Sequence, residues 1–469
     1  MPVIRIAVGL LVAASAGCTL GPDYKRPVVE LPAAHRGAAS SQRSAESLAN
    51  LKWFELFRDV QLTALVGTAL KQNFEVRIAA ERVLQARAAH GITRADQFPE
   101  VGVSAGVNAV RSSRNGANRG IPEGVDTSVS YTEAGFSLGW EIDVWGRLRR
   151  LSEAARAEYL ATEEARRGVV TTLVADVTQT YLSLRALDLE LEIAKRTREV
   201  ATDALRLTDV RRTGGVASAL DVRQAEQLLY TATAQIADLE RAIAQAENAL
   251  SLLLGQAPGE TPRGQSLEAL RPPPSVPAGL PSDLIERRPD IRQAEHQLVA
   301  ANARIGAARA EYFPRLSLTG LLGVQSRALS DLLTGSAGFA SAGLGATAPI
   351  FNAGRTRANV QLTEAIQREA VVNYQRTIYT ALRDVSDALI AYGKTSEQRR
   401  EQERLVAALQ ESSRLSTERY RGGLESYLPV LDAQRNLFQG ELELARLRER
   451  ELVAIVQLYR ALGGGWTES

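Results

Sequence analysis

Apolar residues follow two different periods along this chain, and the same succession occurs twice. Between Asp59 and Gln97 they recur at helical spacing, and Pro99 ends the run. Val101, Val103, Ala105 and Val107 then alternate with small or polar residues, which is the period of a strand. A Gly-, Asn- and Ser-rich stretch from Ser112 to Asp126 follows. A second alternating run then sets Phe136, Leu138, Trp140, Ile142 and Val144 on one face. The pattern predicts a β-hairpin with a long loop over about 100–145. Arg147 to Arg212 contains no proline, and Val170, Leu173, Val177, Leu184, Leu187, Leu191 and Ala194 fit a heptad seam with Thr180 as its polar exception. At a rise of 1.5 Å per residue such a helix is about 100 Å long, a length that suits a coiled coil better than a compact globule. Gly214-Gly215 breaks it, and a further helix is predicted from about Ser218 to Leu254.

The succession is a tandem duplication. Phe74 to Pro99 aligns without gaps on Pro289 to Pro314, with matches that include Arg77/Arg292, Ala88/Ala303, Gly91/Gly306 and Phe98/Phe313. A second block sets Gly146-Arg147 on Gly354-Arg355 and keeps one offset to the end, pairing Gly214-Gly215 with Gly422-Gly423 and Leu220 with Leu428. The offset changes only between the blocks, so the first copy carries the longer inter-strand segment. The copies are placed at 59–255 and 282–463, the second with its hairpin at about 315–352. A Pro-rich linker at 256–281 joins them, and 464–469 is a tail.

Arg5, the apolar run Ile6 to Ala14 and the small residues Ser15-Ala16-Gly17 have the form of a signal peptide over 1–17. The run is too short for a spanning helix. The single cysteine, Cys18, stands where a lipoprotein signal peptidase would leave it first. It is expected to carry acyl chains, with 18–58 as a lipid-anchored extended segment. Ser15 stands where leucine is usual, and an ordinary cut near here is the alternative. Thr19 favours outer-membrane delivery over inner-membrane retention.

Composition narrows the function. Among 469 residues, 56 basic and 54 acidic side chains give a net charge of +2, so there is no basic field for nucleic acid. Three histidines and one cysteine offer no cluster for a metal or haem, and no internal disulfide is possible. The commoner catalytic motifs are missing, and the chain reads as a non-enzyme without a cofactor. Arg288-Pro289-Asp290 invites a catalytic reading, but proline in a first helical turn explains it better. His296 has no second ligand near it in the sequence pattern.

Four strands cannot close a barrel, and an open sheet edge in lipid leaves peptide groups unsatisfied. Spanning strands would therefore have to be pooled. Two chains give eight strands around a filled interior, and three give twelve around a passage. Trp140 and Trp145 near the strand end suit an interfacial aromatic belt. The alternative is a periplasmic adaptor or helical scaffold whose hairpins cover its own core.

The chain resembles the outer-membrane efflux protein family (TolC-like), in its lipoprotein branch serving resistance-nodulation-division pumps. The resemblance rests on Cys18-Thr-Leu-Gly-Pro-Asp-Tyr24, Trp140-Glu-Ile-Asp-Val-Trp-Gly-Arg147, Arg288-Pro-Asp-Ile-Arg-Gln-Ala-Glu295, Ile305-Gly-Ala-Ala-Arg309, Pro349-Ile-Phe-Asn-Ala-Gly354 and Leu431-Asp-Ala-Gln434. It implies a membrane α+β homotrimer, with a twelve-stranded transmembrane β-barrel and a periplasmic α-helical barrel. It also implies an exit duct fed by an inner-membrane transporter through a periplasmic adaptor. Type I protein secretion and metal-ion efflux are the alternatives within the fold.

A duct needs a gate, and the double-glycine breaks are the natural place for it. Asp221, Tyr420, Leu428, Asp432 and Arg435 cluster near them in sequence. The resemblance makes Asp432 a periplasmic ring aspartate with Leu428 and Arg435 beside it, while Pro429 stands where some members carry a second acid. Asp221 and Asp432 also suit helix starts, where the macrodipole favours a carboxylate. The tips Gly214, Gly215, Gly422 and Gly423 are implied to dock the adaptor, and they equally suit turns needing positive φ.

Overall fold

The computed structural model describes residues 19–37, 47–51, 56–113, 124–271, 277 and 279–464; Cys18, the expected signal peptide 1–17 and the tail residues 465–469 lie outside them. Two helices, α1 (Val60–Gln72) and α2 (Phe74–Ala95), lead into strands β1 (Glu100–Arg111) and β2 (Ser128–Ile142). Helices α3 (Arg147–Thr213) and α4 (Ala219–Leu253) complete the first succession. The second consists of α5 (Asp283–Arg287), α6 (Pro289–Ala310), β3 (Arg315–Ser326), β4 (Gly338–Thr347), α7 (Arg355–Arg421) and α8 (Leu428–Ala461). The helical run that begins at Asp59 is split at Asn73, whose side-chain oxygen accepts from the Glu75 and Val76 amides and starts a new helix.

The chain forms two compact units, and neither is one sequence copy. The first takes the described residues up to Pro27 with Val83–Thr162 and Ala294–Asn373; the second takes Val28–Arg82, Glu163–Gln293 and Tyr374 onward.

In the first unit the four strands form one antiparallel sheet in the order β1-β2-β3-β4. Residues opposite one another share a face. Val103 faces Phe136, Phe136 faces Leu322, and Leu318 faces Leu344 and Trp140. One face is thus mostly Val, Leu, Phe and Ala, while the other carries Gly102, Ser104, Asn108, Glu133, Ser137, Ser317 and Thr319, with Val110, Val129, Leu321 and Phe339 as apolar exceptions. The Asn108 amide donates to Glu133 on that polar face at 2.9 Å. Val101, Val103, Val107, Phe136, Leu322 and Leu344 are all exposed on the apolar face. Among the described residues no helix is long and apolar enough to cross a membrane.

The strand-to-helix joint explains the Trp140–Arg147 motif. Trp140 donates its indole N–H to the Gln97 carbonyl and Trp145 to the Pro314 carbonyl, and Trp145 stacks on Phe313 at 4.7 Å. Both tryptophans, expected as belt residues, thereby bolt helix ends to the sheet. Asp143 accepts from the Leu148 and Arg149 amides and caps α3, and Glu141 pairs with Arg147. Below the joint α3 and α6 approach closely through Ala154, Ala157, Ala300 and Ala303.

Residues 19–27 strap across this joint. The Leu20 carbonyl accepts from Arg150, the Pro22 carbonyl from Asn302, and Asp23 pairs with Arg150 at 2.9 Å. Arg26 grips Glu295 through two nitrogens, at 2.7 and 2.9 Å. The strap lies so close that a Cβ on Gly21 would strike the backbone of Gly306, and one on Gly306 would strike the Leu20 carbonyl and Arg150.

The second unit packs α3, α4 and α8 through Ile193, Ala194, Ile236, Leu239, Phe438, Leu442 and Ala445. Of the heptad positions, Leu173, Val177, Leu184 and Ala194 are buried, and Leu187 and Leu191 pack against this cluster. The two copies close alike: Asn73 donates to the Leu253 carbonyl at 2.8 Å, and its equivalent Arg288 donates to the equivalent Ala461 carbonyl at 2.8 Å. Arg288 also pairs with Asp290 and Asp384, so Arg288-Pro289-Asp290 is a helix start tied to the long helix.

The close approach of strap and helix predicts that Gly306→Ala costs about 1–3 kcal/mol locally. Residues 19–27 should then detach, seen as a new trypsin cut after Lys25 in the otherwise folded protein. An unchanged digest would show that the strap does not depend on this contact.

Candidate functional site at the helix tips

The two long helices end in matching turns. Gly214, Gly215 and Val216 donate back to Val210, Arg212 and Arg211, and Gly422, Gly423 and Leu424 repeat those bonds to Glu418, Tyr420 and Arg419. Gly215 and Gly423 hold φ of +77° and +75°, the left-handed conformation that ends a helix with a bond from the second residue beyond it. Val216 and Leu424 stand exposed just past each glycine pair. Each tip therefore presents backbone and one apolar side chain beside exposed polar residues, Arg212 and Thr213 at one and Arg421 at the other.

The expected gate residues divide by environment. Asp221 closes a capping box with Ser218: its carboxylate accepts from the Ser218 amide at 2.8 Å while the hydroxyl accepts from the Asp221 amide at 3.2 Å. Its carboxylate is committed to the start of α4. Asp432 lies one turn inside α8, whose first turn has no acid, and pairs with Arg435 at 2.7 Å with both side chains exposed. Leu428 is exposed at the head of the same helix, as its equivalent Leu220 is on α4. Asp432, Arg435 and Leu428 are therefore accessible groups on one helix, whereas Tyr420 is not.

Tyr420 is 4% exposed and packs with Ala201, Ala225, Leu228, Tyr427, Val430 and Leu431. Tyr427 meets it edge to face at 5.4 Å. Arg211, from the end of α3, lies 4.5 Å over the Tyr420 ring and donates to the Tyr420 carbonyl at 2.6 Å. This clamp joins the ends of α3 and α7, and neither Arg211 nor Tyr427 was expected from the sequence. The duplication held a signal for it. Arg419, the equivalent of Arg211, pairs with Glu425 in its own turn. The first copy has Ala217 at that place, which leaves Arg211 to reach the other tip.

Burial and the neighbouring Tyr420 push the Tyr427 phenol up to about 12, so it stays neutral. Its hydroxyl and the Gln434 side-chain oxygen are buried without a partner among the described residues. Both line a groove of about 900 Å³ between α3, α7 and α8, with Leu207, Val210 and Leu437. Among the described residues no group of acids, histidines or cysteines could hold a metal.

The family model described as outer membrane efflux protein matches residues 65–256 and 280–464. The toluene efflux pump outer membrane protein TtgI of Pseudomonas putida is 40% identical over 460 residues, covering 97% of this chain and 96% of its own. The cation efflux system protein CusC of Escherichia coli O6:H1 is 36% identical over 461 residues, covering 97% of each chain. A solved structure of CusC, titled for transmembrane channel formation, superposes with a TM-score of 0.85 at 35% identity, covering 96% of this chain and 100% of that one. The probable outer membrane lipoprotein SilC of Salmonella typhimurium is 37% identical over 459 residues, covering 97% of each chain.

Two substitutions test the clamp. Arg211→Ala should loosen the end of α7, and trypsin should cut after Arg419 and Arg421 faster than in the parent. Tyr427→Phe removes a buried hydroxyl that has no partner, so it should leave stability unchanged or raise it by about 1 kcal/mol. Tyr427→Ala should cost about 3–5 kcal/mol. Thermal melts of the purified protein read both tyrosine variants.

Proposed function

The chain belongs to the outer membrane efflux protein family and is an outer-membrane efflux channel, and on that footing we propose that three copies form a passive exit duct fed by an inner-membrane resistance-nodulation-division transporter through a periplasmic adaptor. The observation that carries this reading is the sheet. It has one apolar face, one polar face and two unpaired long edges, so it is chemically complete in lipid only when neighbouring copies supply strands. Twelve strands from three copies leave a passage lined by the polar face. This arrangement needs no covalent chemistry and no cofactor.

Cys18 is the proposed acylation site. The strap at 19–27, which begins one residue after it in the sequence, is held against the strand-to-helix joint. The lipoprotein name of SilC supports the same reading. Asp432, Leu428 and Arg435 are the proposed periplasmic gate, because they are exposed on one helix head and threefold symmetry would bring three sets together. Asp221 and Tyr420 support that gate from behind, by capping α4 and clamping α7. The tips Gly214-Gly215 and Gly422-Gly423, with Val216 and Leu424, are the proposed adaptor contact.

The cargo we propose is small organic toxicants such as solvents or drugs. The toluene efflux relative supports it, and a chain with one methionine and three histidines offers little to soft metal ions. Native mass spectrometry of the detergent-extracted protein should find a trimer whose protomers start at an acylated Cys18. A monomer stable without detergent would overturn the duct and return a periplasmic scaffold. In planar bilayers, Asp432→Ala should raise single-channel conductance, and unchanged conductance would remove Asp432 from the gate.

A further inference from the structure

Taking the polar sheet face as the lining of a shared duct, we propose that its outer end carries an apolar collar. Val110, Val129, Tyr131 and Phe339 form the collar, which lets apolar cargo leave and slows charged solutes.

The lining changes character along its length. Toward the helices, facing pairs set a glycine against a small hydroxyl residue: Gly102 against Ser137, Gly343 against Thr319 and Gly345 against Ser317. In each pair the hydroxyl lies over the glycine. A Cβ added at these glycines would stand 3.0 Å from Ser137 Oγ, 3.2 Å from Thr319 Oγ1 and 3.1 Å from Ser317 Oγ. Such a wall is low and easily wetted.

At the hairpin ends an aromatic ring takes the place of the hydroxyl. Gly323 faces Phe339, and Phe339 Cε1 lies 3.1 Å from where a Cβ on the glycine would stand. Phe339 is one residue from the end of β4. The corresponding positions of β1 and β2 on this face are Val110 and Val129, which face each other. Tyr131 follows on β2, and Gln325 is the polar member of the set, on β3. Val110 and Val129 are exposed, so neither gains much from burial within the chain. Lipid does not call for them either, since the opposite face of the same strands already supplies Val103, Val107 and Phe136. What remains for large apolar groups at this end is to shape the passage.

Three copies bring three sets of these side chains to one end of a duct whose remaining wall is mostly Gly, Ser and Thr. A charged solute entering the collar gives up water to surfaces that return no hydrogen bonds, and a narrow apolar ring resists wetting itself. Apolar molecules meet no such cost, and the rings of Phe339 and Tyr131 can pack against them. Polarity returns just inside, where Glu133 follows Tyr131 on the same face and accepts from Asn108 at 2.9 Å. The collar is thus a filter at the exit, separate from the gate at the helix tips.

Thiol labelling from outside intact cells tests the collar in the full-length protein. Ser341→Cys puts a thiol at the next polar-face position inside Phe339, and the parent protein sets the background from Cys18. A small uncharged maleimide should label it readily and a bulky sulfonated maleimide slowly. Adding Phe339→Ser with Tyr131→Ser should speed the sulfonated reagent several-fold and leave the uncharged one little changed. Tyr131→Phe, which keeps the ring, should label like the parent collar. Should the aromatic pair prove necessary for assembly by native mass, Val110→Ser with Val129→Ser should shift the rate in the same direction. Equal rates for the sulfonated reagent with and without the collar, in an intact trimer, would overturn the collar and leave the duct standing. A monomer without substitutions, or sulfonated labelling of Ala342→Cys on the opposite face in preference to Ser341→Cys, would overturn the lined duct itself.

Discussion

Every peptide group in a membrane must find a partner inside the protein, because hydrocarbon offers none and each orphan costs several kcal/mol. This chain meets that demand along three strand pairings and leaves two edges open, on β1 and β4. For edges this long the unmet bonds amount to tens of kcal/mol in lipid, by order of magnitude. No side-chain contact in the chain competes with a term of that size. Ring closure by further copies is thus the condition under which the amphipathic sheet exists at all, and the joint, the strap and the long helices are arranged around strands that are half of a pairing.

Duplication supplies the economy of the design, and the departures from it mark where the copies took on separate tasks. The helix ends close alike at Asn73 and Arg288, yet only the arginine continues to Asp384 on the long helix. The tips turn alike, yet Arg419 stays within its own turn while Arg211 crosses to Tyr420. Asp221 closes a capping box, whereas α8 begins with Leu428 and Pro429 and keeps its acid, Asp432, a turn further in and exposed. Exact symmetry would give six equal units around an axis. These differences make alternate units distinct.

Much of this was legible in the sequence because it depends on period. Strand alternation, proline-free helical stretches and the double-glycine breaks all carry their signal locally, and the structure's hairpins and long helices follow them. The break at Asn73 was not legible, since an asparagine can also lie inside a helix, and what holds this one as a cap includes the Leu253 carbonyl 180 residues away, which its amide reaches while its oxygen takes the Glu75 and Val76 amides. Nor was Tyr420 legible as a buried clamp. Its partner Arg211 lies 209 residues away, and only comparison of Ala217 with Glu425 hints that one arginine is unoccupied at home. Sequence near a tip gives proximity along the chain, while burial is decided by which helix lies alongside.

The long helices α3 and α7 each contain 67 residues. Removing a single residue from one would turn everything beyond it by about 100° and move its tip by 1.5 Å, carrying seam positions such as Leu184 toward water. A deletion tolerated by the packing must remove whole repeats of the apolar pattern, such as seven residues, and must occur in both helices if the two tips are to stay level. The reach of this protein can therefore change only in coarse, paired steps. Any partner that docked at the tips would meet one of a few discrete lengths.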